Sequence, residues 1–169
     1  MKRIFLSIVP LLFTACVSKP NNIEPIKNFE LDSYLGKWYE IARLDHGFER
    51  GLEQVSANYS MREDGGVKVV NKGYNQKEKE WDEAIGKAYF VDDRTTGFLE
   101  VSFFGPFYGS YIIWELGKEY EYAFVCGPSK KYLWFLARTP YVDENMKKYF
   151  YARAKEEGFD LEGLIWVEQ

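Results

Sequence analysis

The sequence predicts an all-β fold: an eight-stranded antiparallel up-and-down β-barrel with one α-helix packed outside it near the C-terminus. Three observations point there. Aromatic residues are dense, with 13 Tyr, 13 Phe and 5 Trp making up 18% of 169 residues, and flat rings suit a pleated surface. Eight strand-like runs follow one another between residues 37 and 138, joined by short turns. A single helical pattern then follows Pro140. Closing a meander of this kind removes both exposed sheet edges. From strand count alone a two-sheet sandwich is the rival, although a Greek key needs long crossings and only short turns occur here.

The first run, Lys37 to Asp45, mixes Trp, Tyr, Ile and Leu with charged residues. The second, Leu52 to Arg62, ends in Glu63-Asp64-Gly65-Gly66. Asp-Gly and Gly-Gly between two such runs signal a hairpin. Val67 to Asn75 is the third run, and the charged turn Gln76 to Glu80 leads into the fourth, Trp81 to Val91. Asp92 to Gly97 is a turn, and Phe98 to Phe103 the fifth run. An unusually apolar loop, Phe104 to Gly109, precedes the sixth, Ser110 to Leu116. Gly117-Lys118 turns into Glu119 to Cys126, and Gly127 to Lys130 into Lys131 to Arg138. Val142, Met146, Tyr149, Phe150 and Ala154 recur at helical spacing, with acids at the start and Gly158 at the end, so residues 142–157 are predicted to be one amphipathic helix. Leu164 to Val167 offers a short final strand.

Composition bounds the function. The chain is 46% hydrophobic and 28% charged, which excludes a disordered chain and a multi-span membrane protein. A net charge of -4 gives no nucleic-acid footprint. One histidine and two cysteines leave little material for a metal site, and no cofactor is predicted. His46 is expected to be a solvated loop residue, and Cys126 a buried strand residue.

The N-terminus has the pattern of a secretory signal: Lys2 and Arg3, a short apolar run, then small residues. The run is too short to span a membrane. Leu12-Phe13-Thr14-Ala15-Cys16 resembles the processing box of bacterial lipoproteins. That resemblance implies a signal peptide over 1–15, acylation of Cys16 and, with Val17 rather than Asp next, sorting to the outer membrane of a Gram-negative cell. A second acyl chain turns marginal membrane binding into stable anchoring. A lipidated Cys16 would leave Cys126 without a disulfide partner. Residues 16–29, polar and broken by Pro20 and Pro25, are predicted to form an extended, poorly ordered tether, and residues 30–169 the barrel domain.

Gly36-Lys37-Trp38-Tyr39-Glu40-Ile41-Ala42-Arg43 and Tyr132-Leu133-Trp134-Phe135-Leu136-Ala137-Arg138-Thr139-Pro140 resemble the first-strand and last-strand signatures of the lipocalin family. Glu121-Tyr122-Ala123-Phe124-Val125 occupies the place of the middle motif without its usual Thr-Asp pair. The resemblance covers residues 30–169 and is strongest to bacterial outer-membrane lipocalins and apolipoprotein D. It implies that Gly36, Trp38 and Arg138 close one end of the barrel, with the Arg138 guanidinium over the Trp38 indole.

Alternation assigns faces to the strands. Ala57, Tyr59 and Met61 share one, as do Val69, Asn71 and Gly73; Leu99, Val101 and Phe103; and Tyr132, Trp134 and Leu136. Ala84, Gly86 and Ala88 form a small-residue run that would leave volume inside. By resemblance, Tyr59, Asn71, Phe103 and Trp134 line the ligand cavity. The same residues could instead pack against one another in a filled barrel. If the plug lies at the opposite end, the first, third, fifth and seventh connections form the open rim. Phe104, Pro106, Phe107 and Tyr108 would then be an apolar patch for a membrane, a partner or a ligand gate, or would fold over their own barrel. Lys77, Lys79, Lys130 and Lys131 on that rim could meet phosphate head groups.

These readings imply a membrane-anchored protein that binds a fatty acid or lysophospholipid and stores or transfers it. Binding, not catalysis, is the expected activity. The alternatives are a lipid-modifying enzyme on the same scaffold, or an envelope interaction module with a solid interior. Monomer and homodimer are both open.

Overall fold

A computed structural model describes residues 17–169; the signal segment 1–15 and Cys16 lie outside the described residues. A one-turn helix, α1 (Leu31–Tyr34), leads into β1 (Gly36–Leu44), β2 (Leu52–Met61), β3 (Val67–Asn75), β4 (Glu80–Phe90), β5 (Phe98–Phe104), β6 (Phe107–Leu116), β7 (Tyr122–Cys126) and β8 (Leu133–Ala137). Helix α2 (Glu144–Glu156) and the short β9 (Leu164–Trp166) complete the chain. Each of the eight strands pairs antiparallel with the next, β8 pairs with β1, and β1 with β2, so the sheet closes into the predicted barrel.

The closing seam has two storeys. Gly36 to Tyr39 of β1 pair with Tyr59 to Ser56 of β2. Beyond a register shift near Glu40, β1 leaves β2, and Ala42 to Leu44 pair instead with Trp166 to Leu164 of β9. The C-terminal residues fill the gap: Gln54 N–H donates to the Glu168 carbonyl at 2.6 Å, and the Gln169 amide donates to the carbonyls of Glu40 (2.7 Å) and Val55 (3.0 Å). Backbone groups that would be orphaned along the divergent strands are thereby paired.

Helix α2 begins two residues later than predicted and ends one residue earlier. Asp143 is its N-cap, its carboxylate accepting from Met146 N–H at 2.8 Å. Its apolar stripe covers the outside of the barrel. Phe150, fully buried, has its ring 4.9 Å from that of Phe135 and 4.9 Å from that of Phe124. Lys130 Nζ donates to the Glu157 carbonyl at the helix C-terminus, where a cation complements the dipole. Lys130 is therefore committed to the helix and is not a free rim lysine.

Two further expectations are corrected. Residues 20–29 are not a loose tether but a strap laid along the barrel. Ile23 is 1% exposed within the outer core, and Phe29 is 2% exposed within the inner one. Ile26 exchanges backbone hydrogen bonds with Ile113 and Gly97, and Phe29 N–H donates to Thr95. The prolines set an extended path without loosening it, since the segment borrows its hydrogen bonds from the sheet. The segment Phe104 to Gly109 is not an open loop either. β5 and β6 run to the tip, with Phe104 opposite Phe107 across Gly105-Pro106.

Candidate functional site

The closed end is built from the two sequence signatures. Trp38 is completely buried, and its indole N–H donates to the Tyr34 carbonyl at 2.8 Å. The Arg138 guanidinium carbon sits 4.0 Å from the indole centroid. Its nitrogens donate to the carbonyls of Ser33 (2.8 Å), Lys37 (3.0 Å) and Tyr120 (3.3 Å). Gly36 takes a left-handed φ of +95°, which a side chain would strain, and its Cα lies beside Arg138, where an added Cβ would be in ordinary contact at 3.4 Å. These three residues thus meet at one end, as the resemblance implied.

Above this plug lies a cavity of about 550 Å³, large enough for a small amphiphile. Its floor is a chain of phenols: Tyr34 and Tyr111 hydroxyls lie 2.7 Å apart, and Tyr111 and Tyr59 hydroxyls 2.9 Å apart. Burial pushes all three hydroxyls well above the ordinary tyrosine range, so they stay protonated. The walls are mainly aliphatic and aromatic, and Phe48, Leu52, Phe104 and Phe107 border the opposite end. The open rim is therefore where the odd-numbered connections gather.

Of the residues predicted to line the cavity, Ala57, Tyr59, Asn71, Ala84, Ala88, Phe103 and Trp134 do so. Gly86 does not. A Cβ built on Gly86 would fall 2.8 Å from the Phe103 ring, so its missing side chain makes room for that ring rather than for a ligand. Met61 is 45% exposed, because it lies beyond Tyr59, where the pairing of β2 with β1 ends, although it still pairs with Val67 of β3. The Asn71 carbonyl oxygen is buried and has no hydrogen-bond partner among the described residues, an acceptor pointing at unfilled polar capacity.

A charged cluster in the first-strand wall escaped the sequence reading. Glu40 and Glu49 both line the cavity and are 3% and 8% exposed. Arg43, 1% exposed, donates to Glu40 Oε1 at 2.7 Å and to the carbonyls of Glu49 (2.9 Å) and Leu52 (3.0 Å). It thereby fastens the rim loop 45–51 to the barrel. Glu49 Oε2 accepts from the Trp134 indole at 2.9 Å and lies 2.9 Å from His46 Nε2. Burial, then the charge of Glu49, hold the Glu40 carboxyl well above the usual carboxylate range, against the opposing pull of Arg43. Arg43 thus meets the carboxylate of Glu40 but only the backbone carbonyl of Glu49, whose carboxylate faces Trp134 and His46. The signal was present in the sequence: Glu40 stands two residues from Trp38 and so shares its inward face.

His46 is also corrected. It is 6% exposed, not solvated, because its ring packs 4.0 Å from Phe48 and 5.1 Å from Trp134. Cys126 is buried, and desolvation pushes its thiol up to about 12. Among the described residues, Glu78, Glu80 and Asp82 bring carboxylate oxygens within 4.8 Å of one another on the β3–β4 hairpin, a grouping common on acidic surfaces without an ion. No helix among the described residues is long and apolar enough to cross a membrane.

Comparison with known proteins agrees with this geometry. A family model described as a lipocalin-like domain matches residues 29–169. The outer membrane lipoprotein Blc of Vibrio cholerae is 54% identical over 170 residues, covering 100% of this chain and 99% of that protein. The protein of the same name from Escherichia coli K12 is 51% identical over 94% of this chain and 90% of its own length. Mouse apolipoprotein D is 30% identical over 85% of this chain and 78% of its own. Among solved structures, insecticyanin from the tobacco hornworm Manduca sexta superposes with a TM-score of 0.71 at 19% identity, over 90% of this chain and 87% of that one.

Proposed function

The chain belongs to the lipocalin-like domain family, and from that premise we infer that it is an outer-membrane lipoprotein whose activity is to bind a lipid, a fatty acid or a lysophospholipid, in the barrel cavity. The observation that carries this reading is the cavity itself: about 550 Å³, lined mainly by apolar side chains, closed at one end by Trp38 and Arg138 and bordered by aromatic side chains at the other. Removing an acyl chain from water contributes about 25 cal/mol per Å² before losses of freedom are counted. The polar features sit where an amphiphile needs them. The Asn71 oxygen and the Glu40–Arg43–Glu49 cluster lie on the wall, and the phenol chain lines the floor.

Membrane location follows the relatives named outer membrane lipoprotein, which share 51–54% of their residues with this chain. In this reading residues 1–15 are removed and Cys16 carries the acyl chains. Such a protein would hold or hand over single-chain lipids as part of envelope maintenance.

The test is chemical. Protein purified from its own membrane in mild detergent is extracted with organic solvent, and the extract is identified by mass spectrometry. A stoichiometric single-chain lipid, with uptake of the same lipid by delipidated protein, is the expected result. Absence of both would overturn the reading. A lipid converted to product on incubation would replace binding with catalysis.

A further inference from the structure

We propose that the barrel sits mouth-down on the bilayer that anchors it, with Phe48, Trp81, Phe104 and Phe107 entering the lipid interface. The inference rests on the acylation of Cys16 and goes beyond it, because acylation alone leaves the orientation of the barrel free.

The first observation is where the chain enters the fold. The hydroxyl of Ser110 donates to the carbonyl of Ser18. Lys19 to Asn22 border a surface groove together with Pro128, Ser129 and Lys130 of the β7–β8 turn, one of the four mouth connections. From there the strap descends past Ile113 and ends with Phe29 bonded to Thr95 in the turn after β4, at the plug end. Its N-terminal end is therefore at the mouth. Two residue steps separate Cys16 from Ser18, a reach of at most about 7 Å. Ser110 lies three residues from Phe107, roughly 10 Å below the hairpin tip at about 3.3 Å per residue. An acyl anchor starting there cannot hold the closed end against the membrane.

The second observation is independent of the anchor. An exposed aromatic side chain stands in or beside each of the other three mouth connections: Phe48 at 67% in the first, Trp81 at 57% near the start of β4, and Phe104 and Phe107 at 79% and 77% where β5 ends and β6 begins. Large apolar groups so exposed, and gathered at one end, mark a contact surface. The β3–β4 hairpin sets Lys77 and Lys79 among Glu78 and Glu80, so it is close to neutral. Contact driven by aromatic burial, with Trp in its preferred interfacial place, fits a lipid surface and should depend weakly on salt. Because Phe104 and Phe107 also line the cavity, a single-chain lipid would pass between bilayer and cavity along these rings without entering bulk water.

The test uses the full chain, processed in cells and reconstituted in vesicles of phosphatidylethanolamine and phosphatidylglycerol. Intact mass first establishes acylation of Cys16. An environment-sensitive probe is then attached at Gly105→Cys, where an added Cβ meets nothing within 4 Å, or at Lys118→Cys in the turn at the plug end. Native Cys126 is buried and does not compete for label. Quenching of the Gly105→Cys probe by brominated lipid, with the Lys118→Cys probe quenched only by aqueous iodide, supports the proposal. So does about a tenfold or greater fall in lipid quenching when Phe104→Ser and Phe107→Ser are added. An acylated protein with both probes in water overturns the orientation and leaves lipid binding standing. A Gly105→Cys probe shielded from both quenchers overturns it in favour of a second protein copy. A mature chain without acylation overturns both the anchor and this proposal, and uptake of lipid by that chain still reports separately on the cavity.

Discussion

The guanidinium of Arg138 lies 4.0 Å from the centre of the Trp38 indole and donates to three carbonyls, those of Ser33, Lys37 and Tyr120. One side chain from the end of the barrel thus holds down α1, β1 and the β6–β7 turn at once. A cation–π contact contributes about 0.5–2 kcal/mol, and a charged hydrogen bond about 1.5–3 kcal/mol when sheltered. With Arg138 only partly buried, Arg138→Ala should cost about 2–3 kcal/mol and lower Tm by roughly 5–10 °C. Arg138→Lys should recover less than half, because an ammonium lacks the planar fork that reaches several acceptors. Thermal unfolding by circular dichroism measures both.

Glu40 predicts a pH dependence of unusual sign. Its carboxyl is held well above the usual carboxylate range by burial and by Glu49. The folded state therefore binds this proton more tightly than the unfolded state. The associated stability is fully present below the unfolded value, about 4.3, and is lost as pH rises through the folded value, at about 1.4 kcal/mol per unit. Glu40→Gln imitates the protonated form and should be insensitive over that window. Chemical denaturation at several pH values between 5 and 8 should show the variant gaining on the native protein as pH rises. A constant difference would assign the ionised form to Glu40.

Ala57 tests whether the hollow is the binding site. It is 9% exposed on the cavity wall, paired with Trp38 on β1 and Asn71 on β3. Ala57→Trp should project an indole into the space without touching the outer core. Affinity for a long single-chain lipid should fall about tenfold or more, and that for a short-chain analogue much less, as read by fluorescence titration. Equal loss for both would indicate a distorted barrel instead.

The strap can be weighed directly. Ile23 is 1% exposed against the outer core, and buried Ile→Ala changes cost about 2–5 kcal/mol. Ile23→Ala should destabilise at the lower end of that range, since the strap can shift to fill the void. A tether would show no change in denaturation midpoint.

The fold was largely legible in the residues because local signals and closure agree. Alternation gave the strand faces, Asp64-Gly65 the first tight hairpin, and Asp143 with Phe150 the outer helix. What escaped was decided by tertiary partners. Pro20 and Pro25 resemble breakers of a loose linker, yet Ile23, Ile26 and Phe29 recur every third residue, the repeat of an extended left-handed segment that can lie on a sheet. His46 is polar by type and buried only because Phe48 and Trp134 fold over it. Gly86 looked like open volume because a glycine names no neighbour, and Phe103 takes the space. Cavity-lining Ala57, Tyr59, Asn71 and Trp134 followed from family likeness joined to alternation. Glu40 was overlooked although alternation alone places it inside.

The two-storey seam bears on the order of events during synthesis. β1 emerges early, yet the hydrogen bonds of Ala42 to Leu44 await β9, and Gln169 spans Glu40 and Val55. Pairings this distant in sequence are slow to form. The wall thus stays unzipped on one side until its last stave, β9, arrives.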